Sequence, residues 1–136
     1  MRRTHTALQA GAAVWCFAIL AAPLFHLEPV YKFFSLICHQ IPDRSWHLHG
    51  EPLAVCIRCA SIYFGFLAGL LAGLSPNARL LRIAMAATAA EFVFAWLVMD
   101  SAILRSATGL VLGAAAAPFV SLGIEQMLAR PIDDFM

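Results

Sequence analysis

The chain has 136 residues, of which 62% are hydrophobic and 12% are charged, with a net charge of +1 and a mean hydropathy of +0.80. This length accommodates one domain, and so apolar a composition excludes a soluble globular protein, which would expose large apolar patches to water. The near-neutral charge excludes nucleic-acid binding driven by electrostatics, and the composition predicts an integral membrane protein.

Four apolar segments follow one another along the chain, each close to the roughly 20 residues that a membrane-spanning helix needs. Because a bilayer offers no water to backbone polar groups, these segments must be helices. We predict spans over about residues 11–27, 57–74, 80–99 and 103–128. The predicted fold class is therefore all-α, an integral membrane four-helix bundle that forms a single transmembrane domain over residues 1–136.

The first span resembles a signal peptide, since Arg2 and Arg3 precede it and Ala21 and Ala22 end it. We expect a retained signal anchor. An even number of spans places both termini on one side, and the arginine pair predicts that this side is cytoplasmic in a prokaryotic cytoplasmic membrane. The loop that follows the first span would then lie on the outer side.

That loop, about residues 28–58, is long, whereas residues 75–79 and 100–102 are short connections that predict antiparallel neighbouring helices. Its early part, residues 29–37, has aromatic anchors and is predicted to be an amphipathic segment at the membrane interface. A long loop among short ones is usually functional.

Three of the four cysteines lie in this loop or at its end. Cys56 and Cys59 stand one turn apart at the start of the second span, where the helix dipole favours thiolates. Cys38 supplies a third sulfur, and His39 is the first candidate for a nitrogen ligand, with His47 or His49 as alternatives. Three cysteines and one histidine complete a tetrahedral structural zinc site.

Other interpretations of these residues remain open. A structural or redox-active disulfide is expected if the loop lies outside the cytoplasm, and an iron–sulfur cluster with the same ligands is a weaker idea. His47 and His49 are alternatively solvated side chains. Neighbouring residues bind one metal only with awkward geometry, so Cys38 or His39 would support a ligand rather than be one. Cys16, within the first span, is interpreted as packing.

Arginines and a tyrosine accompany the cysteines. Arg44 and Arg58 offer planar guanidinium groups that fix loop carbonyls or hold an anion. Tyr63 lies one turn beyond Cys59, where it lines the site or packs as an ordinary aromatic residue.

Glu91 falls near the middle of the third span, where a carboxylate is costly and indicates function by default. It is either protonated and hydrogen-bonded, for instance to Thr88 or Thr108, or part of a proton or cation relay. Asp100 and Arg105, around the last short connection, are expected to interact at the surface.

Glycines recur every four residues in two spans. Small residues at this spacing allow helix backbones to approach closely, which predicts packing faces within the bundle or between subunits. These glycines are Gly65, Gly69 and Gly73 in the second span and Gly109 and Gly113 in the fourth.

The strings CHQIPDRSW and VCIRCASIYFGF, with a glycine between them, resemble a family of small prokaryotic multi-span membrane proteins classed as a domain of unknown function. The family pattern is CHQxPxRS and an aromatic residue, a glycine, then CxRCxGIYxG. The residues that match are Cys38, His39, Gln40, Pro42, Arg44, Ser45, Gly50, Cys56, Arg58, Cys59, Ile62, Tyr63 and Gly65.

The chain departs from this family pattern at two positions. Ser61 stands where the family has glycine, and Ala102 where it has asparagine before an RxxTG string that ends in Thr108-Gly109 here. The resemblance covers about residues 25–115. It implies a shared fold and site but no established activity.

These patterns predict a binding or accessory subunit, more readily than an enzyme, in which zinc shapes the loop. Its partners would be the lipid bilayer and either another subunit of a membrane assembly or further copies of the chain. The enzyme alternative is a membrane thiol–disulfide oxidoreductase that uses Cys56 and Cys59, with Cys38 as resolving thiol and a quinone as partner. A weaker alternative is an ion or small-solute transporter that uses Glu91.

Overall fold

Long apolar runs fold as helices over most of residues 2–129, the part of the chain that this computed structural model describes. Between the second and third helices lie a single 3₁₀ turn, Pro42–Arg44, and a small antiparallel hairpin of β1 (His47–Leu48) and β2 (Glu51–Pro52). The α helices in these residues are α1 (Arg2–Phe25), α2 (Glu28–Phe34), α3 (Ile57–Leu71), α4 (Ala78–Leu97) and α5 (Ala102–Ala129).

Among the described residues, three helices are long and apolar enough to cross a membrane. They are α1 from Thr4 onward, α4 and α5, which correspond to three of the four predicted spans. The remaining predicted span, α3, is an apolar helix of only 15 residues. The predicted interfacial segment forms α2, a short helix that exposes Phe33 and buries Phe34.

Local signals explain where the helices end. Gly73 has a positive φ of 61°, and the N–H groups of Gly73 and Leu74 donate to the carbonyls of Leu70 and Gly69. This glycine stop ends α3 three residues before the predicted boundary. The side chain of Asn77 caps α4 by accepting hydrogen bonds from two backbone N–H groups. Helix α1 begins at Arg2, well before the predicted start at residue 11. Its first turns are polar, so they lower the hydropathy of the segment, but they are compatible with a helix.

Helix α5 is the main packing partner in the bundle, since α3 and α4 both pack against it. The contacts of Gly65 with Leu110 and of Gly69 with Ala114 show that α3 and α5 run parallel. The sequence predicted that the short connection after α3 makes α3 and α4 close neighbours, but each of these helices packs mainly on α5 instead. The other predicted neighbours, α4 and α5, do pack together. Helix α1 packs on α3, with Gln9 Nε2 donating to the Leu70 carbonyl at 3.0 Å.

The glycines of α3 and α5 allow their backbones to touch. A Cβ atom at Gly69 would lie 2.7 Å from the Ala114 carbonyl oxygen, and one at Gly113 would overlap the Ile62 carbonyl oxygen. The predicted packing face is thus confirmed within the bundle for Gly65, Gly69, Gly109 and Gly113. Gly73 is different, because it ends α3 and a Cβ atom at this position would meet nothing within 4 Å.

Substitution of Gly113 by alanine is expected to lower the free energy of unfolding by about 1–3 kcal/mol, since backbone atoms of α3 would have to move. Gly123 is the matched control, because it lies in the same helix and a Cβ atom there meets nothing within 4 Å. Gly123→Ala should leave stability unchanged or raise it slightly, as alanine favours helix. Unfolding of the purified protein in detergent measures both variants, and equal stabilities would contradict the close packing.

The loop between α1 and α3 folds back onto these helices. Phe34, Leu53 and Val55 are buried together with Ile19 of α1. The Trp15 ring meets Phe34 edge-on at 5.1 Å and Tyr63 at 5.6 Å. This apolar packing fixes both ends of the loop, and with them the cysteines, at one end of the helices.

Candidate metal centre

The three loop cysteines converge on one point. Cys38 follows α2, its N–H donating to the Phe34 carbonyl, and the residue is only 7% exposed. Cys56 is the N-cap residue of α3, and its backbone N–H donates to Cys38 Sγ at 3.2 Å. Cys59 lies one turn into α3. The sulfurs of Cys38, Cys56 and Cys59 all lie within 4.8 Å of one another.

Hydrogen bonds from two side chains to backbone carbonyls hold the loop in the shape that brings these sulfurs together. Gln40 adopts a positive φ of 48°, and its Nε2 donates to the carbonyls of Tyr31 and Ala54 at 2.7 and 2.8 Å. The Tyr31 hydroxyl donates to the Pro52 carbonyl at 2.6 Å. The Gln40 side chain thus joins the middle of α2 to the segment before Cys56.

The sulfurs form no disulfide, and all four cysteines of the chain are free thiols. The hydrogen bond from the Cys59 thiol lowers the pKa of Cys56 to about 5, outweighing the opposite effect of burial. This hydrogen bond favours the thiolate form of Cys56. An anionic sulfur beside two further thiols is a suitable starting point for binding a soft metal ion.

The histidines lie outside this group of sulfurs. His39 is exposed and lines the cavity beside Cys38. His47 and His49 are exposed in the hairpin, and His49 has a positive φ of 53°. In the described part of the chain, the cluster of metal-ligating side chains contains the three cysteines and no histidine. Tyr63 is half-buried and lines a separate apolar cavity of about 730 Å³.

A cavity of about 310 Å³ opens onto the thiol cluster. Arg44, Arg58 and Arg105 line it, together with apolar side chains that include Phe92 and Trp96. The guanidinium carbon of Arg58 lies 5.2 Å from the centre of the Phe92 ring, a cation–π contact. The cavity therefore combines soft ligands, positive charge and apolar walls.

Glu91 is held by arginines rather than by threonines. Its Oε2 accepts from Arg58 Nη2 at 2.5 Å, and its Oε1 lies 3.9 Å from Arg105 Nε. The expected hydrogen bonds to threonine hydroxyls are absent from the described contacts of Glu91. The hydroxyls of Thr88 and Thr108 instead donate to carbonyls of their own helices, as threonine often does within a helix.

The ion pairs extend from Glu91 to the loop. Arg105 also pairs with Asp100, and Arg44 Nε lies 3.4 Å from Asp100 Oδ2. The expected contact of Asp100 with Arg105 thus exists, although Arg105 is buried, with 5% exposure, and not at the surface. Three arginines against two carboxylates leave one positive charge in excess beside the thiols.

Phe92, Trp96 and Arg105 are among the site residues that the sequence analysis did not assign to the site. Phe92 and Trp96 look like ordinary lipid-facing residues of an apolar span, and no sequence signal sets them apart. Arg105 did carry a signal, because a cation just after a tight connection can reach a carboxylate at the same depth in the preceding helix. Glu91 lies nine residues before this connection and Arg105 three residues after it, a difference that a long arginine side chain spans.

Parts of the chain are similar to an archaeal protein and to a family of membrane proteins. Fifty per cent identity over 42 residues relates the chain to an uncharacterised protein of Methanocaldococcus jannaschii, an archaeon. The match spans 31% of this chain and only 27% of that relative. No solved structure is significantly similar to the chain. The model of a protein family described as "Predicted membrane protein (DUF2085)" matches residues 38–119, from the first cysteine of the cluster through most of α5, and the chain therefore belongs to this family of membrane proteins of unknown function.

Proposed function

We propose that Cys38, Cys56 and Cys59 bind one zinc ion at the membrane interface, and that the protein acts as a binding or accessory subunit of a membrane assembly. The observation that carries this proposal is the mutual approach of three sulfurs to within 4.8 Å. Zn–S bonds of about 2.3 Å in a tetrahedral site place sulfurs about 3.8 Å apart. Only a small inward movement of the side chains is needed.

The surrounding charges support a zinc–thiolate centre. Three thiolates and one Zn²⁺ carry a net charge of −1, which balances the excess positive charge of Arg44, Arg58 and Arg105 over Glu91 and Asp100. Such a balance matters because an uncompensated charge near the membrane is costly. When bound, the ion would tie the end of α2 to the first turn of α3 and so shape the loop.

The bundle we propose has four spans, with α3 as the short one. At 15 residues α3 is about 22 Å long, less than the roughly 30 Å of the hydrocarbon core. Leu36, Ile37 and Ile41 of the loop are exposed and apolar, so the loop can enter the interface and cover the difference. The arginine pair at the start of α1 favours cytoplasmic termini, and the thiol cluster would then lie on the outer side of a prokaryotic membrane.

Metal analysis and thiol counting test the zinc proposal together. Protein purified in detergent without oxidation is expected to hold one zinc ion per chain by inductively coupled plasma mass spectrometry. After unfolding and metal removal, all four cysteines should react with a thiol reagent without prior reduction. Metal-free protein with two of its thiols oxidised would contradict the proposal.

That contrary result would favour a membrane thiol–disulfide oxidoreductase. The observation in its favour is the placement of Cys56 and Cys59 one turn apart at the start of α3. The hydrogen bond from the Cys59 thiol lowers the pKa of Cys56 and so favours a thiolate nucleophile. Oxidation of the Cys56 thiolate and the Cys59 thiol to a disulfide would pass two electrons and one proton to an acceptor such as a quinone, which would take its second proton from water. A reducible Cys56–Cys59 bond, identified by peptide mapping, would establish this second candidate.

A further inference from the structure

The thiol cluster supplies three ligands and leaves one side open. His39, the nearest histidine in sequence, is exposed at the cavity and is not among the grouped ligand atoms. All three cysteines line the 310 Å³ cavity. A zinc ion held by three protein ligands keeps its fourth position for water or an exchangeable ligand.

The cavity at that open side is built to attract an anion. Arg44, Arg58 and Arg105 line it, and only Arg44 is largely exposed. Among the described residues, the Nε atoms of Arg58 and Arg105 and the Oε1 atom of Glu91 are buried without a hydrogen-bond partner. Arg105 Nε and Glu91 Oε1 face each other as an ion pair at 3.9 Å, so Arg58 Nε is the donor that lacks an acceptor. Buried N–H donors without an acceptor are rare in folded proteins and indicate a missing partner.

We propose that the fourth position of this centre takes a small, weakly hydrated monoanion with a sulfur donor, such as the thiolate of a small thiol. This inference rests on the proposed zinc site. On binding, the thiol would release its proton to water and its sulfur would coordinate the metal. The arginines that line the cavity would offset part of the charge of the four-sulfur centre, which is −2 against their excess of +1 over Glu91 and Asp100.

The apolar walls of the cavity favour weakly hydrated anions over strongly hydrated ones. Phe92 and Trp96 are apolar and would replace the water around a bound ligand. Phosphate and sulfate lose strong hydration on entering such a space, whereas a thiolate loses less and is the softer ligand for a metal already bound to sulfur. The volume of about 310 Å³ is sufficient for a ligand of several non-hydrogen atoms.

Cobalt spectroscopy tests the open position. The full-length protein in detergent is loaded with Co²⁺ in place of zinc, freed of reductant, and titrated with 2-mercaptoethanol, thiocyanate or phosphate. We expect 2-mercaptoethanol and thiocyanate to shift the visible absorption bands in a saturable way, and phosphate to leave them unchanged. His39→Ala should have the same spectrum as the unsubstituted protein before any anion is added.

Matched arginine variants test the charge of the cavity. Arg44→Gln should weaken 2-mercaptoethanol binding about two- to fivefold, a modest change because the Arg44 side chain is 54% exposed. Arg82→Gln, an exposed position on α4 that does not line the cavity, should not change it.

The outcomes separate the two proposals. If Co²⁺ does not bind with thiolate absorption, the metal site itself fails. If Co²⁺ binds but no anion shifts the spectrum and His39→Ala changes it, then His39 is the fourth ligand. The open position would then be wrong while the metal site stands. A shift by phosphate equal to that by 2-mercaptoethanol would overturn the choice of a soft anion.

Discussion

Replacement of Cys59 by serine is expected to abolish stoichiometric zinc binding by the purified protein. The serine hydroxyl stays protonated at neutral pH and is a poor ligand for zinc, so only two sulfurs remain. We expect the zinc affinity to fall at least 100-fold, or about 2.7 kcal/mol. Metal content after detergent purification, followed by competition with a chromogenic chelator, measures this loss.

Cys16 provides the control for this experiment. It is buried in α1 and does not belong to the sulfur group of the loop. Cys16→Ala removes one thiol from the chain but should retain one zinc ion per chain with unchanged affinity. A Cys59→Ser protein that still holds a full equivalent of zinc would contradict a site made by the three loop cysteines.

The convergence of the cysteines could be predicted from the helix repeat and from the course of the loop. Two thiols one turn apart at a helix start must lie close together, and a long loop returning to that start brings Cys38 near. The position of His39 could not be predicted in the same way. It depends on the positive φ of Gln40 and on the bonds of that side chain to Tyr31 and Ala54, which are tertiary contacts.

The long helices could likewise be predicted from the sequence, whereas the packing of the helices on one another could not be predicted in full. The apolar runs predict the long helices, and the glycine spacing predicts where α3 and α5 touch. Which helices become neighbours depends on how well two surfaces fit. Direct backbone contact at Gly65 and Gly113 makes α5 the partner of α3, and this leaves α4 on α5. The partners of Glu91 follow from that arrangement, which is why the sequence alone suggested threonines instead of arginines.

Replacement of Glu91 by alanine is expected to destabilise the protein by about 3–5 kcal/mol. Glu91 is 7% exposed and pairs with Arg58, and Arg105 lies on its other side with 5% exposure. Without the carboxylate, two arginines remain close together in a site with little access to water. Unfolding in detergent by heat or denaturant measures the loss, and Glu51→Ala, at an exposed position of β2, should change stability by less than about 0.5 kcal/mol.

Glutamine at position 91 distinguishes the ion pair from a protonated carboxyl group. Glutamine has nearly the shape of a protonated glutamate, so Glu91→Gln would be almost neutral if Glu91 were uncharged. Because the carboxylate accepts from Arg58 at 2.5 Å, we expect this variant to lose roughly 2 kcal/mol or more. Combining Glu91→Ala with Arg58→Met should recover part of the stability lost in Glu91→Ala alone, since one unpaired buried charge is removed. If the double variant is less stable than both single variants, mutual charge compensation is not what holds this corner of the bundle together.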